Sequence, residues 1–391
     1  MGDVGRQGAP AGTDEGVEMR HGKRRRAGNA VAASLALVAV GAVAGCGSVG
    51  AGSGADERPL VGVAMPTTTS ERWIGDGENV QAQLEALGYD VALEYAENDV
   101  PTQVEQLETM IADGADALVI GSIDGVALKG VLADAAAADI PVIAYDRLIR
   151  ESPDVAYYAT FDNARVGVQQ ATQLLQGLGV LDEAGEETGA AGPYNVELFA
   201  GSTDDNNATV FYEGAMQVLK PYLDSGVLVV PSGETDFETI AIDAWDPKNA
   251  TARMETLLPR YADQRLDGVL SPYDGISIAI LDAVKGIGYG SDAQPLPVVT
   301  GQDAELASAK SIAAGEQYGT VYKDTRQLAE VAVSMVRALL DGAEPETNDN
   351  ASYDNGVKVV PSYLLAPQVV TGENYRQVLV DGGYYTAEEL G

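Results

Sequence analysis

A chain of 391 residues with 59 acidic against 24 basic side chains carries a formal net charge of −35 at pH 7. Such a surface repels phosphate backbones and anionic lipid headgroups, which sets nucleic acid aside as a partner and favours a soluble monomer. The length exceeds the roughly 100–200 residues of an ordinary domain, so two lobes are expected. The single cysteine (Cys46) and single histidine (His21) both lie near the N-terminus. Everything after residue 46 therefore lacks disulfides, Ser-His and Cys-His nucleophiles, and His- or Cys-ligated zinc.

In chain order, the first signal is an address. Residues 21–26 are His-Gly-Lys-Arg-Arg-Arg, and a small apolar run follows from Ala30 to Ala44. It ends in Val43-Ala44-Gly45-Cys46, small residues set directly before a cysteine. A basic region, a short apolar stretch and a small-residue cut site make a secretory signal. The Cys ending resembles a bacterial lipobox, in which the cysteine becomes the lipidated first residue of the mature protein. The alternative, an uncleaved membrane anchor, needs about 20 apolar residues, and this run is shorter and rich in Ala and Gly. The expectation is a lipoprotein signal peptide over residues 1–45, with Met19 a candidate start because residues 1–18 have no signal character. Residues 46–58, mostly Gly, Ser and Ala, form a flexible linker. The protein then sits outside the cytoplasm, held to the cell membrane only by a lipid on Cys46.

From Pro59 onward, short apolar runs alternate with helical patterns. Strands are expected at Pro59–Met65, Val91–Tyr95, Ala117–Ile120 and Pro141–Ala144, with helices at Glu78–Leu87, Pro101–Asp113 and Ala127–Ala138 between them. The rhythm restarts after Asp162. Helices are expected at Val166–Leu178, Ala208–Leu219, Lys248–Tyr261 and Ile276–Lys285, and strands at Asn195–Phe199, Val227–Pro231, Gly268–Leu270, Pro297–Thr300 and Tyr318–Tyr322. Gly179–Gly192 reads as an acidic surface loop, and Asp324–Leu340 as a long helix with an apolar face. Near-continuous apolar strands alternating with helices predict α/β lobes with parallel sheets covered on both faces.

Open α/β sheets bind ligands beyond the carboxyl ends of their strands. The residues expected there are Ser70 to Trp73, Tyr145-Asp146-Arg147, Asp204 to Asn207, Tyr273-Asp274, Gln302-Asp303 and Lys323, with Trp245 in the loop before the helix at Lys248. Each has a plainer reading: an ion pair for Asp146-Arg147, a helix N-cap among Asp204 to Asn207, a hydrophobic staple for Trp245, a solvated helix-start residue for Lys323. Together they supply directional donors and acceptors plus the only two tryptophans of the chain. Hydroxyls that both donate and accept, on a ring with apolar C–H faces, match that set, so a sugar fits it.

The segments at 65–77, 145–163, 199–208, 270–278, 288–305, 315–326 and 355–365 make the sequence resemble substrate-binding proteins of multiple-monosaccharide ABC importers, the ribose- and xylose-binding type of periplasmic binding proteins. The resemblance extends from about Pro59 to the C-terminus. It implies two Rossmann-like lobes joined by a three-strand hinge (the type I arrangement), with crossings near Asp162, Lys323 and Leu365. The lobes would be 59–162 with 324–364, and 163–323 with 365–391. It implies sugar contacts from Arg72 and Trp73, hydroxyl-gripping by Asp146 and Arg147, a second-lobe pair in Asp205 and Asn207, a stacking face from Trp245, and further contacts from Asp303 and Lys323. Tyr273-Asp274 stands where relatives often have Asn-Asp, so either could touch the sugar.

The implied function is an extracytoplasmic receptor that binds an aldose between its lobes and delivers it to the permease subunits of an ABC importer, without catalysis, metal or cofactor. Signalling to a membrane sensor is the alternative. A glycosidase would need a carboxylate pair, which exists, but the pattern is that of a binder. A sugar-responsive repressor would carry a DNA-binding helix pair, not an export signal.

Overall fold

The computed structural model describes residues 58–391; the expected signal peptide, Cys46 and most of the expected linker lie outside them. The chain opens with β1 (Leu60–Met65), α1 (Glu71–Ala86), β2 (Asp90–Tyr95), α2 (Val100–Ala112), β3 (Ala117–Ile120), α3 (Lys129–Ala137), β4 (Val142–Tyr145) and β5 (Val155–Phe161). There follow α4 (Asn163–Gly177), β6 (Tyr194–Leu198), α5 (Asn206–Ser225), β7 (Leu228–Val229), α6 (Phe237–Ile240), α7 (Pro247–Leu257), β8 (Gly268–Leu270), α8 (Asp274–Lys285), β9 (Val298–Val299), α9 (Leu306–Ala313) and β10 (Gly319–Tyr322). The chain ends with α10 (Thr325–Leu340), β11 (Ser362–Leu365), β12 (Gln368–Thr371) and α11 (Ala387–Leu390).

Two parallel sheets organise these elements. The first has six strands in the order β11-β5-β4-β3-β1-β2, and the second four in the order β7-β6-β8-β9. β10 and β12 form a separate antiparallel pair. Both faces of each sheet are covered, as the apolar strands require. In β3, Leu118 and Ile120 join the core with α2 and α3, whereas Ala117 and Val119 join the opposite core with α1 and α10. In the second sheet, Leu198 and Leu270 pack on α4 and α5, while Val269 packs on α7 and α8. The alternation follows from successive side chains of a strand pointing to opposite faces.

The chain crosses between sheets three times: at Asp162 between β5 and α4, at Lys323-Asp324 between β10 and α10, and at Ala366-Pro367 between β11 and β12. Two crossings are helix N-caps. The Asp162 side chain accepts from the Arg165 N–H, and that of Asp324 from the Arg326 N–H, satisfying amides that the first helical turn leaves unpaired. α4 and α5 pack closely because glycines meet there. A Cβ on Gly167 would lie 2.0 Å from the Phe211 carbonyl oxygen, and one on Gly214 would lie 2.3 Å from that of Ala164.

The observed elements differ from the expected ones in two instructive places. α1 begins at Glu71, not near residue 78, so Arg72 and Trp73 stand in a helix rather than in a loop. Gly75 and Gly77 lower helix propensity over this stretch, but packing overrides it: Trp73, Gly77 and Val80 are all buried. β5 and β11 were not among the expected strands; they form one side of the first sheet, paired with each other although 200 residues apart in sequence.

Candidate functional site

A cavity of about 450 Å³ opens where the carboxyl ends of both sheets face one another. The first lobe contributes the β1–α1 connection, the start of α1, the β2–α2 turn and the residues after β4. The second contributes the start of α5, the loop before α7, Tyr273, Gln302-Asp303 and Lys323.

Of the candidate residues, Arg72, Trp73, Asp146, Arg147, Asp205, Asn207, Trp245, Tyr273, Asp303 and Lys323 all line this cavity. Asp274 does not. It is fully buried behind the wall, where its carboxylate accepts from the Glu305 N–H (3.0 Å), Gln317 Nε2 (3.2 Å) and Thr320 Oγ1 (3.0 Å). Burial, reinforced by Glu305 and Asp303, pushes that carboxyl well above its usual range. Of the Tyr-Asp pair, the tyrosine faces the cavity and the aspartate ties β10 to the β9–α9 connection.

The charged side chains interlock. Arg72 reaches Asp146 Oδ1 through Nη1 (3.1 Å) and lies 3.6 Å from Asp303 Oδ1. Lys323 Nζ lies 2.9 Å from Asp303 and 3.7 Å from Asp146. Arg147 Nε pairs with Asp205 Oδ2 at 3.0 Å. Burial alone would raise the Asp146 carboxyl, but Arg72, Lys323 and Arg147 outweigh it and hold it below its ordinary value. Asp205, with fewer cations near it, is held above its ordinary value by burial. The buried part of the wall thus carries three cations (Arg72, Arg147, Lys323) and three carboxylates (Asp146, Asp205, Asp303). With charge balanced, the site has no call for a ligand of strong net charge.

The aromatic groups are held by this frame. The Arg72 and Arg147 guanidiniums lie over the Trp73 ring, 4.6 Å and 5.2 Å from its centroid, close enough for cation–π attraction. Trp245 is half-buried, edge-on to Phe211 (6.4 Å) and Tyr273 (6.2 Å), and its buried indole N–H has no partner among the described residues. Asn207 lines the cavity with its amide already committed: Nδ2 donates to the Asp146 carbonyl (2.7 Å), and Oδ1 accepts from Asn163 Nδ2 (3.0 Å).

The backbone is unusual at the same place. Among the described residues, nine non-glycine positions have positive φ, and six of them line the cavity: Glu97, Asn98, Asp146, Ala244, Trp245 and Asp303. Left-handed backbone costs roughly 1 kcal/mol or more at such residues and persists only where its surroundings enforce it. The local backbone at these positions is therefore enforced by its surroundings.

Sequence reasoning missed Phe211, Glu97 and Asn98. Phe211 sits on α5, where its spacing reads as core. Glu97 and Asn98 follow β2, and the strand-end rule applied to that strand would have reached them. Asp205 is the N-cap of α5, its side chain accepting from the Asn207 N–H, and it also pairs with Arg147, a contact the sequence did not indicate. Among the described residues, no group of three or more His, Cys, Asp or Glu is arranged to hold a metal ion.

Residues 61–344 match the family described as periplasmic binding protein domain. The chain is 55% identical to the multiple sugar-binding periplasmic receptor ChvE of Rhizobium radiobacter over 337 residues, 86% of this chain and 93% of the relative. It is 34% identical to the D-xylose-binding periplasmic protein of Escherichia coli (strain K12), over 84% of this chain and 92% of that one. Among solved structures, an ABC transporter solute-binding protein from Clostridium phytofermentans with bound β-D-glucose superposes with a TM-score of 0.80 at 46% identity, covering 85% of this chain and all of that one. With its two parallel sheets, three crossings and facing strand ends, this chain belongs to the periplasmic binding protein family in its type I arrangement, a family of binding receptors rather than enzymes.

Proposed function

We propose that the protein is an extracytoplasmic receptor that encloses a neutral monosaccharide between its lobes and delivers it to an ABC importer. The observation that carries this reading is the buried wall of three cations and three carboxylates beside two tryptophans. Each charged group there keeps donor or acceptor capacity for a hydroxyl. The balanced charge favours a neutral polyol over an acid or an amine, and the Trp245 indole face suits the C–H face of a pyranose. The relatives named for multiple sugars and xylose, and the structure holding glucose, support an aldose.

Residues 59–162 with 324–364, and 163–323 with 365–391, would then move as two bodies about the three crossings. The lobes touch across the cleft through Arg147–Asp205, Arg72–Asp303 and Ser70–Glu305, as a closed form would. A ligand shifts such an equilibrium only by its differential affinity for the closed form. The Val43-Ala44-Gly45-Cys46 sequence supports a lipid anchor on Cys46, which would keep the receptor beside the importer's permease subunits.

The test is a thermal-shift scan of residues 58–391 against glucose, galactose, xylose and arabinose, with small-angle scattering of any complex. Ligand bound only to the folded state raises the melting temperature with concentration. A well-folded sample that responds to none of these sugars would remove the sugar from the reading. An unchanged radius of gyration at saturating sugar would count against lobe closure.

A further inference from the structure

Behind the cavity wall lies a buried carboxylate that touches no cavity space. Asp76, fully buried on α1, stands one turn after Arg72. Its Oδ2 takes Arg72 Nε at 2.8 Å and Arg72 Nη2 at 2.7 Å, while its Oδ1 accepts from the Tyr145 hydroxyl. Asp76 thus holds the Nε edge, while Nη1 (3.1 Å) and Nη2 (3.2 Å) both donate to Asp146 Oδ1 and Nη1 lies 3.6 Å from Asp303, on the cavity.

We propose that Asp76, backed by Tyr145, is a positioning residue that fixes the Arg72 guanidinium and thereby decides which ligand hydroxyl the site reads. This inference rests on the sugar-binding reading above.

The physical argument concerns where donors go when the anchor is lost. A guanidinium has five N–H donors in a rigid fork, on a side chain with considerable rotamer freedom. With Asp76 holding Nε and Nη2, and Asp146 Oδ1 taking Nη1 and Nη2, that freedom is gone; Asp76 is the one anchor that keeps the fork from moving further onto the cavity carboxylates. Without the Asp76 charge, the fork turns toward the remaining carboxylates, Asp146 and Asp303. It then occupies acceptors that a hydroxyl would otherwise use, and its own donor no longer stands at a fixed place. Burial pushes the Asp76 carboxyl up to about 6, so near neutral pH it remains mostly ionised and the contact is charge-assisted. A site whose polar groups are matched to one hydroxyl discriminates strongly against the analogue lacking it, and that discrimination is what Asp76 would govern.

The experiment is calorimetric titration of the mature protein and its Asp76→Asn variant with D-glucose and the set of monodeoxy-D-glucoses. In the wild type, the analogue lacking the hydroxyl opposite Arg72 should bind much more weakly than glucose. In Asp76→Asn, that one ratio should shrink by roughly tenfold or more, while the ratios for the other analogues stay within about twofold. Uniform weakening across all analogues would make Asp76 merely structural and overturn the proposal, as would an unchanged profile. Should Asp76→Asn fail to fold, Tyr145→Phe removes only the second hydrogen bond to Asp76, and a smaller loss at the same analogue is expected; no selective loss there overturns the proposal. Failure of the wild type to bind any of these sugars would instead refute the sugar reading itself.

Discussion

Arg147, following β4 of the first sheet, and Asp205, capping α5 beside the second, pair at 3.0 Å across the cleft. Both are nearly excluded from solvent, so either left alone would be a buried, unpaired charge. If the lobes open and close as proposed, this pair would form only in the closed form.

Replacing Asp205 separates its two roles. Asp205→Asn keeps an N-cap for α5, since asparagine caps as well as aspartate, but removes the charge facing Arg147. Asp205→Ala removes both. Sugar affinity should fall by about 2–3 kcal/mol, roughly a hundredfold, in either variant. Chemical denaturation should show an additional loss of about 1 kcal/mol for Asp205→Ala only. Equal stabilities would show that the cap contributes nothing.

Trp245 offers a ring face to a ligand, while its indole N–H is buried with no partner among the described residues. Trp245→Phe keeps a smaller ring face, so affinity should drop by about 1 kcal/mol, or several-fold. Trp245→Ala removes the face, and a drop of about 2 kcal/mol or more is expected. Titration calorimetry with the best-binding aldose reads the two steps; equal losses in the two variants would show that the ring face contributes nothing.

Gly201 shapes the site without touching it chemically. A Cβ there would lie 2.0 Å from Trp245 Cη2 and 2.1 Å from Cζ2, an overlap only a shift of the indole relieves. Gly201→Ala should therefore weaken sugar binding by about tenfold or more, with little change in net charge or secondary structure. Tryptophan fluorescence should report the moved ring, and an unchanged affinity would mean the indole can retreat without cost.

Glu305 makes closure sensitive to pH. It lies on the second lobe, hydrogen-bonded to Ser70 of the first. Burial, aided by Asp303 and Glu71, pushes its carboxyl from 4.5 up to about 7. A carboxyl raised in the closed form disfavours closure once it must ionise. Its cost is absent below about pH 4.5, grows as pH rises through about 7 and is level above that. Between about pH 6.5 and about pH 8, where Asp76 stays ionised, sugar affinity should therefore fall. Glu305→Gln should flatten the profile, and a wild-type profile already flat would exclude the effect.

Much of this was legible in the residues themselves. The near-continuous apolar strands and the spacing of helices dictate a doubly covered parallel α/β architecture, because side-chain alternation and helical periodicity are local properties. The same locality placed Asp146, Arg147, Asp205, Asp303 and Lys323 at strand ends, and all five line the cavity. What the sequence could not state is which of them meet. β11 finds β5 across 200 residues, so the first sheet is completed by chain from the far end of the molecule, and only the cost and gain of that long-range pairing decide it. Asp274 looked as eligible as Tyr273 until packing turned its carboxylate onto Gln317 and Thr320. Asp76 lay outside the helix expected from Glu78, and burial of Trp73 and Val80 extends α1 back to Glu71. The residue types set what chemistry was available. Tertiary packing, by excluding water from some carboxylates and leaving others on the cavity wall, decided which of them hold the frame and which face the ligand.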